Sequence, residues 1–267
     1  SIVSYTGTGA SATVGHGLSS APEAQIVKAR NNTTAWRIWW TGFTGTERLQ
    51  FDTSAKATTG TSWDGTVPAA SVFSLGADSN TNNSGTDYVA YAFHSVAGYS
   101  SFGSYTGNGS STGPTVTTGF APAFVMIKRT DVANNWIIVD NTRDPDEQIS
   151  KQLLPNVSDA EYNVPNTADF LSNGFQITDT NASRNASGGT YIYMAFADKR
   201  EAAFWLDQSG NNNDWTNNNM QESDISLDIP TNNFATLNPL SIASGETQVL
   251  EEGNLNCTNS SSNYGSV

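Results

Sequence analysis

A single cysteine, Cys257, stands among 267 residues, so the chain can form no internal disulfide. Histidine is almost as scarce, with His16 and His94 the two present. Basic residues number 12 against 25 acidic ones, which leaves a net charge of −13 and a pI near 4.3. Such an excess repels phosphate backbones and anionic lipid, and it argues against nucleic acid and membrane surfaces as partners. No apolar run approaches the roughly 18–20 residues that span a bilayer, so no membrane insertion by helix is expected. The opening SIVSYTG has neither the basic region nor the apolar core of a signal peptide. No initiator Met is present either, and the chain reads as a piece of something longer.

What is present is polar without being charged. Only 14% of residues are charged and 37% hydrophobic, the balance being largely Asn, Ser, Thr and Gly. The first three compete for backbone hydrogen bonds and Gly is entropically costly in a helix, so helices are disfavoured and short strands joined by turns are favoured. Disorder is the competing reading of such polarity. Seven Trp, nine Tyr and twelve Phe oppose it, since disordered tracts carry little core material of that kind.

The chain repeats itself. Ser4-Tyr5-Thr6-Gly7 falls on Ser104-Tyr105-Thr106-Gly107, Pro22 on Pro122, Ile26-Val27-Lys28 on Met126-Ile127-Lys128, and Trp36 on Trp136. After a three-residue slip, TDYVAYAF (Thr86–Phe93) pairs with GTYIYMAF (Gly189–Phe196). Chance in a low-complexity chain explains one Tyr-Thr-Gly match but not an ordered series, so this is a tandem duplication.

Within copy 2, AFVMIKR (123–129) and WIIVD (136–140) predict a hairpin across TDVANN, and FQIT (175–178) and TYIYMAFA (190–197) predict later strands. The last is apolar on both faces, as in a central strand. One helix is predicted, PDEQISKQLL over 145–154, with Pro in its first turn and Asp146 and Glu147 favourable to its dipole. The expected fold is all-β: two tandem antiparallel β-sandwich modules, jelly-roll-like, over 1–103 and 104–200. An extended Asn-rich connector covers 201–249, and 250–267 reads as the truncated start of a further β-domain.

The string GYSSFGSYTGNGSSTGPTVTTGFAPAFVMIKRTD (98–131), followed by DFLSNGFQI and SGGTYIYMAFA, resembles a repeat module of structural proteins of tailed bacteriophages, marine ones prominently. In that family the module leads into D-x-SGNxNDW and PTNNF-x-x-LNPL, which stand here at Asp207–Trp215 and Pro230–Leu240. A SPRY-like or concanavalin-like lectin domain then opens on L-x-x-GNL, matched by Leu250–Leu255. The first copy departs from the pattern over Arg37–Phe51. The resemblance implies a virion appendage (tail fibre, tail spike or capsid fibre), assembled in the bacterial cytoplasm and displayed on the virion surface. It also implies self-association, as a homotrimer, and contact with other virion proteins.

Candidate chemistry is sparse. Neither histidine has a counterpart in the other copy, and no G-x-S-x-G elbow accompanies them. Asp140, Asp144, Asp146 and Glu147 invite a paired-carboxylate glycosidase reading, but Arg143 lies among them and solvated loop charge is the better account. Asp207, Ser209, Asn211 and Asp214 place oxygens at spacings that suggest Ca²⁺, without EF-hand spacing, and an Asx-turn string competes with that reading. No other cofactor is expected. Trp39, Trp40 and Trp63 have no repeat partners and are the candidate binding residues. Trp39 and Trp40, being adjacent in a strand, point to opposite faces, and one exposed indole would stack on a sugar or sit in an interface. Trp36, echoed by Trp136, is expected in the core. These features favour a non-enzymatic spacer and display segment. A module binding host surface glycan is the alternative, and a capsule-depolymerising glycosidase ranks below both.

Overall fold

The alternation of the β-forming segments and the Gly-rich turns between them produce one strand order twice. In a computed structural model, which describes residues 1–144, 148–197, 248–251 and 256–259, copy 1 begins with β1 (Ile2–Thr6), β2 (Ala12–Gly15), β3 (Ala24–Ala29) and β4 (Arg37–Trp40). It continues through β5 (Glu47–Gln50), β6 (Thr58–Thr59), β7 (Val72–Leu75), the single turn α1 (Ser79–Asn82) and β8 (Asp87–Phe93). Copy 2 follows with β9 (Ser100–Thr106), β10 (Thr115–Thr117), β11 (Pro122–Arg129), β12 (Ile137–Asp140) and β13 (Ile149–Gln152). It ends with β14 (Tyr162–Leu171), β15 (Gly174–Ile177), α2 (Ala182–Asn185) and β16 (Thr190–Ala197). A separate unit, Lys199–Val267, contains an antiparallel hairpin of β17 (Gln248–Glu251) and β18 (Asn256–Asn259).

Copy 1 has a sheet of order β1-β8-β3-β4-β5-β6 lying over the β2–β7 pair, and copy 2 has β12-β11-β16-β9 over β10-β15-β14-β13. Neighbouring strands are antiparallel throughout these sheets. Val27, Trp39, Phe73, Leu75, Tyr88 and Ala90 fill the interior of copy 1, and Val125, Ile127, Val139, Phe175, Ile177 and Tyr191 that of copy 2. The described residues are therefore nearly all β, and those of the two copies are built as sandwiches.

The near-identical openings YTGTG and YTGNG mark a locking device. Tyr5 stacks on Tyr88 with centroids 5.2 Å apart, and Tyr105 on Tyr191 at 4.9 Å. The four hydroxyls donate to carbonyls of the helical turns: Tyr5 to Thr81, Tyr88 to Ser79, Tyr105 to Arg184 and Tyr191 to Ala182. A buried asparagine closes each loop. The Asn82 side-chain oxygen accepts from Thr8 N, and its amide donates to Ala10 O and Gly76 O; Asn185 does the same with Asn108 N, Ser110 O and Asp179 O. Gly7 and Gly107 are required because a Cβ would stand 2.3 Å from Asn83 O and Ala186 O respectively. Gly9 and Gly109 adopt φ of 77° and 68°, a conformation open to glycine at little cost.

The large sheets are apolar on both faces, and their second faces meet. Ala24, Ile38, Trp40 and Leu49 of copy 1 form one core with Phe102, Met126, Trp136, Ile192 and Met194 of copy 2. Phe93, Phe124 and Phe196 pack around it. Trp40 Nε1 donates to Gly103 O at 3.1 Å and Trp136 Nε1 to Gln50 O at 3.0 Å, so each indole is satisfied by the opposite copy. Burying each large side chain is worth about 1.5–3 kcal/mol, so this third core rivals either sandwich interior.

The tandem modules lie back to back in one compact unit, Ser1–Asp198. Two expectations change. The division at 103/104 falls inside β9. The segment predicted as a helix over 145–154 contains strand β13, because Ile149 pairs with Ala168 of β14 and is buried in copy 2, which outweighs the local cap signals.

Candidate functional site

The aromatic candidates are core residues. Trp39 and Trp40 do point to opposite faces, but Trp39 enters the interior of copy 1 and Trp40 the shared core, at 5% and 1% exposure. Trp63 is 2% exposed beside Trp39. None presents a ring on which a ligand can stack, which corrects their reading as binding residues. Trp36 is half-buried: its ring meets Phe51, whose ring also meets Trp136.

The titratable candidates are tied into structure. Buried His16 donates from Nε2 to Ala69 O at 3.0 Å and accepts from Leu18 N at Nδ1, while His94 contacts the carbonyl of its neighbour Ser95. Asp140 is bound by Arg143 Nε at 2.6 Å, and the same guanidinium reaches Glu161 at 2.8 Å. Backbone N–H groups of Ser150 and Lys151 hold the Asp144 carboxyl below its ordinary value, the opposite of what a general acid needs. Asp146 and Glu147 lie outside the described residues, as do the metal candidates Asp207, Ser209, Asn211 and Asp214. Among the described residues no three His, Cys, Asp or Glu side chains converge on a metal position, and no helix is long and apolar enough to cross a membrane.

Two further polar clusters lie in copy 1. Asp78, the N-cap of α1, accepts from Arg37 Nε at 3.1 Å, from Arg48 Nη1 at 3.3 Å and from the Ser62 hydroxyl. Burial alone would raise this carboxyl, but hydrogen bonds from Ser62 and Asn80 and the Arg37 charge bring it down to about 2. On the same copy an open cleft of about 240 Å³ is lined by Ser4, Tyr5, Thr6, Arg30, Asp87 and Tyr88. Thr6 and Asn31 donate to the two Asp87 oxygens, at 2.9 and 3.3 Å, and hold the carboxylate in place. Copy 2 has Thr130 and Thr190 at the places of Arg30 and Asp87, and their hydroxyls bond to each other at 2.8 Å.

Residue-by-residue reading overlooked Arg37, Arg48, Asp78 and the cleft. Their signal lay in the difference between the copies: the register that pairs Val27 with Ile127 also sets Gln25 against Val125 and Arg37 against Ile137. A polar side chain where the duplicate is apolar marks a buried position given over to something other than apolar packing. The family described as a domain of unknown function (DUF7483) matches residues 1–200, the two copies together. No curated protein and no solved structure matches the chain.

Proposed function

We propose, for a chain that belongs to the DUF7483 family, the role of a non-enzymatic structural segment in a bacteriophage appendage, as spacer and display unit on the virion surface. The observation that carries the reading is the shared core. A duplicated module that spends the second face of its main sheets on its own twin gains a stiff body, and Trp40 and Trp136 serve that purpose rather than recognition. The family match, spanning both copies, treats them as one domain in the same way. The phage assignment itself rests on the resemblance of the motif series in copy 2 and beyond. Its test is immunogold labelling of intact particles with antibody raised against residues 1–198. Label on a fibre or spike supports the role, and label absent from purified particles contradicts it.

A second reading, attachment to host surface glycan, draws support from the copy 1 cleft rather than from the tryptophans. Hydroxyls at Ser4 and Thr6, a fixed carboxylate at Asp87 and the Arg30 guanidinium are groups that hydrogen-bond vicinal hydroxyls. Repeated copies on one particle would raise weak contacts of this kind to useful avidity. Chain added to host cells before phage should then slow adsorption, and Asp87→Asn should abolish the competition. Competition unchanged by that substitution removes the cleft from the account. A depolymerase is disfavoured by the Asp144 environment; release of reducing sugar, lost in Asp144→Asn, would reinstate it.

A further inference from the structure

The two sandwich interiors obey different electrostatic rules. Copy 2 fills its interior with Val125, Ile137 and Ile149, and its buried Arg184 meets one carboxylate, Asp179, with Gln152 Oε1 at 3.1 Å. Copy 1 places Gln25 and Arg37 where copy 2 has Val125 and Ile137. Gln25 lies opposite Trp39 and Val27 opposite Arg37 on the β3–β4 ladder, while Arg37 lies opposite Gln50 on β4–β5. Alternation therefore turns Gln25, Arg37 and Arg48 toward one interior, which Trp63 closes.

Two guanidiniums there share the single carboxylate of Asp78, an excess of one positive charge. Arg37 Nη1, Arg48 Nε, Trp63 Nε1 and Gln25 Nε2 are buried with no acceptor among the described residues. On that face Gln25 Oε1 is the orphaned acceptor that accompanies them, and Thr34 Oγ1, in the loop before β4, is the other unpartnered buried oxygen of copy 1. Each unmet buried donor costs about 1–3 kcal/mol, while the surplus charge is only partly relieved by water at Arg48, whose side chain is 20% exposed. Water both donates and accepts, so a wall of donors with one acceptor leaves its protons poorly served. A monatomic anion accepts from every side and cancels the excess charge. The chain's net charge of −13 works against anion capture at long range, so recognition must come from these short-range donors.

We propose that the interior of copy 1 binds a halide-sized anion between Arg37 and Arg48, with Gln25 and Trp63 completing the donor shell. The site is independent of the appendage reading. The test uses the whole chain, melted at constant ionic strength while sodium gluconate is replaced by sodium chloride or bromide. The midpoint should rise by about 3–5 °C per tenfold of halide above its dissociation constant. Arg48→Gln leaves Arg37 and Asp78 as a balanced pair and should abolish the response. Bromide crystals of the unaltered chain supply a readout independent of that variant's folding: an anomalous peak within hydrogen-bonding reach of Arg37 Nη1. Melting indifferent to halide, water in place of the anomalous peak, or a full response in Arg48→Gln would each overturn the proposal.

Discussion

Copy 1 and copy 2 share a framework but not a role, and their equivalent lysines show the difference. Lys28 donates to Thr34 O beside Trp36, and Lys128 donates to Asn134 O beside Trp136, so each ties down the loop after its strand. Lys28 stays half-buried. Lys128 is fully buried because residues 51–57 of copy 1 fold across it, and its ammonium also donates to Ser54 O at 3.0 Å. The same covering segment pairs Ala57 N with Thr130 O and brings Ser54 O to Asn134 N. Duplication thus kept the tyrosine stack, the glycines and the buried asparagine, which each sandwich needs. It diverged where one copy became the other's wall, and again in the polar interior of copy 1.

The largest break in that comparison should come from the shared core. Trp136→Ala removes a 1%-exposed indole and leaves Gln50 O without its donor, so it should cost about 3–5 kcal/mol in urea-unfolding free energy. Copy 1 should be destabilised with copy 2, although the substitution lies in copy 2. Next comes alkaline pH. Burial pushes the Lys128 ammonium down to about 8, against an unfolded value near 10.5. Between those values the unfolded chain binds more protons than the folded one, so this group makes stability rise with pH. The gain should approach about 3 kcal/mol and be absent below pH 8. The carbonyls and the Trp136 face around the ammonium act against the shift, which makes that figure an upper bound. The difference between the unaltered chain and Lys128→Met, followed from pH 7 to 10, isolates the effect.

Asn82→Ala and Asn185→Ala sharpen the comparison from the conserved side. Both open the same buried triad of hydrogen bonds, so each should cost about 2 kcal/mol or more, and by similar amounts. The smallest effect should separate equivalent positions. Phe102 is 6% exposed in the shared core while Ile2, one hundred residues earlier, is 73% exposed on β1. Ile2→Ala should therefore change stability by less than about 0.5 kcal/mol, and Phe102→Ala by several-fold more.

Much of copy 2's sandwich was legible in advance, because strand alternation and turn residues act locally. AFVMIKR, WIIVD, FQIT and TYIYMAFA all became strands at the expected places. The opposite orientation of Trp39 and Trp40 was legible for the same reason. Their joint burial was not, since it depends on a second copy arriving from about sixty residues away, as Gly103 does for Trp40. The two-faced character of TYIYMAFA was visible, but its cause is the twin sheet: Tyr191 and Ala195 face copy 2's own interior, and Ile192 and Met194 face copy 1. Strand β13 was hidden by helix-cap signals, because its pairing partner β14 lies beyond a polar loop. The polar interior of copy 1 needed a comparison of the two copies to be seen at all.

The most direct test of the shared core is hydrogen exchange followed by mass spectrometry across a urea series, reading β3 and β8 of copy 1 against β11 and β16 of copy 2. If the copies form one body, the four strands lose protection at a single midpoint, and Trp136→Ala lowers it for all of them together. Protection that persists in β11 and β16 after β3 and β8 have opened would mean that each copy stands alone, and the account of a welded pair would fail.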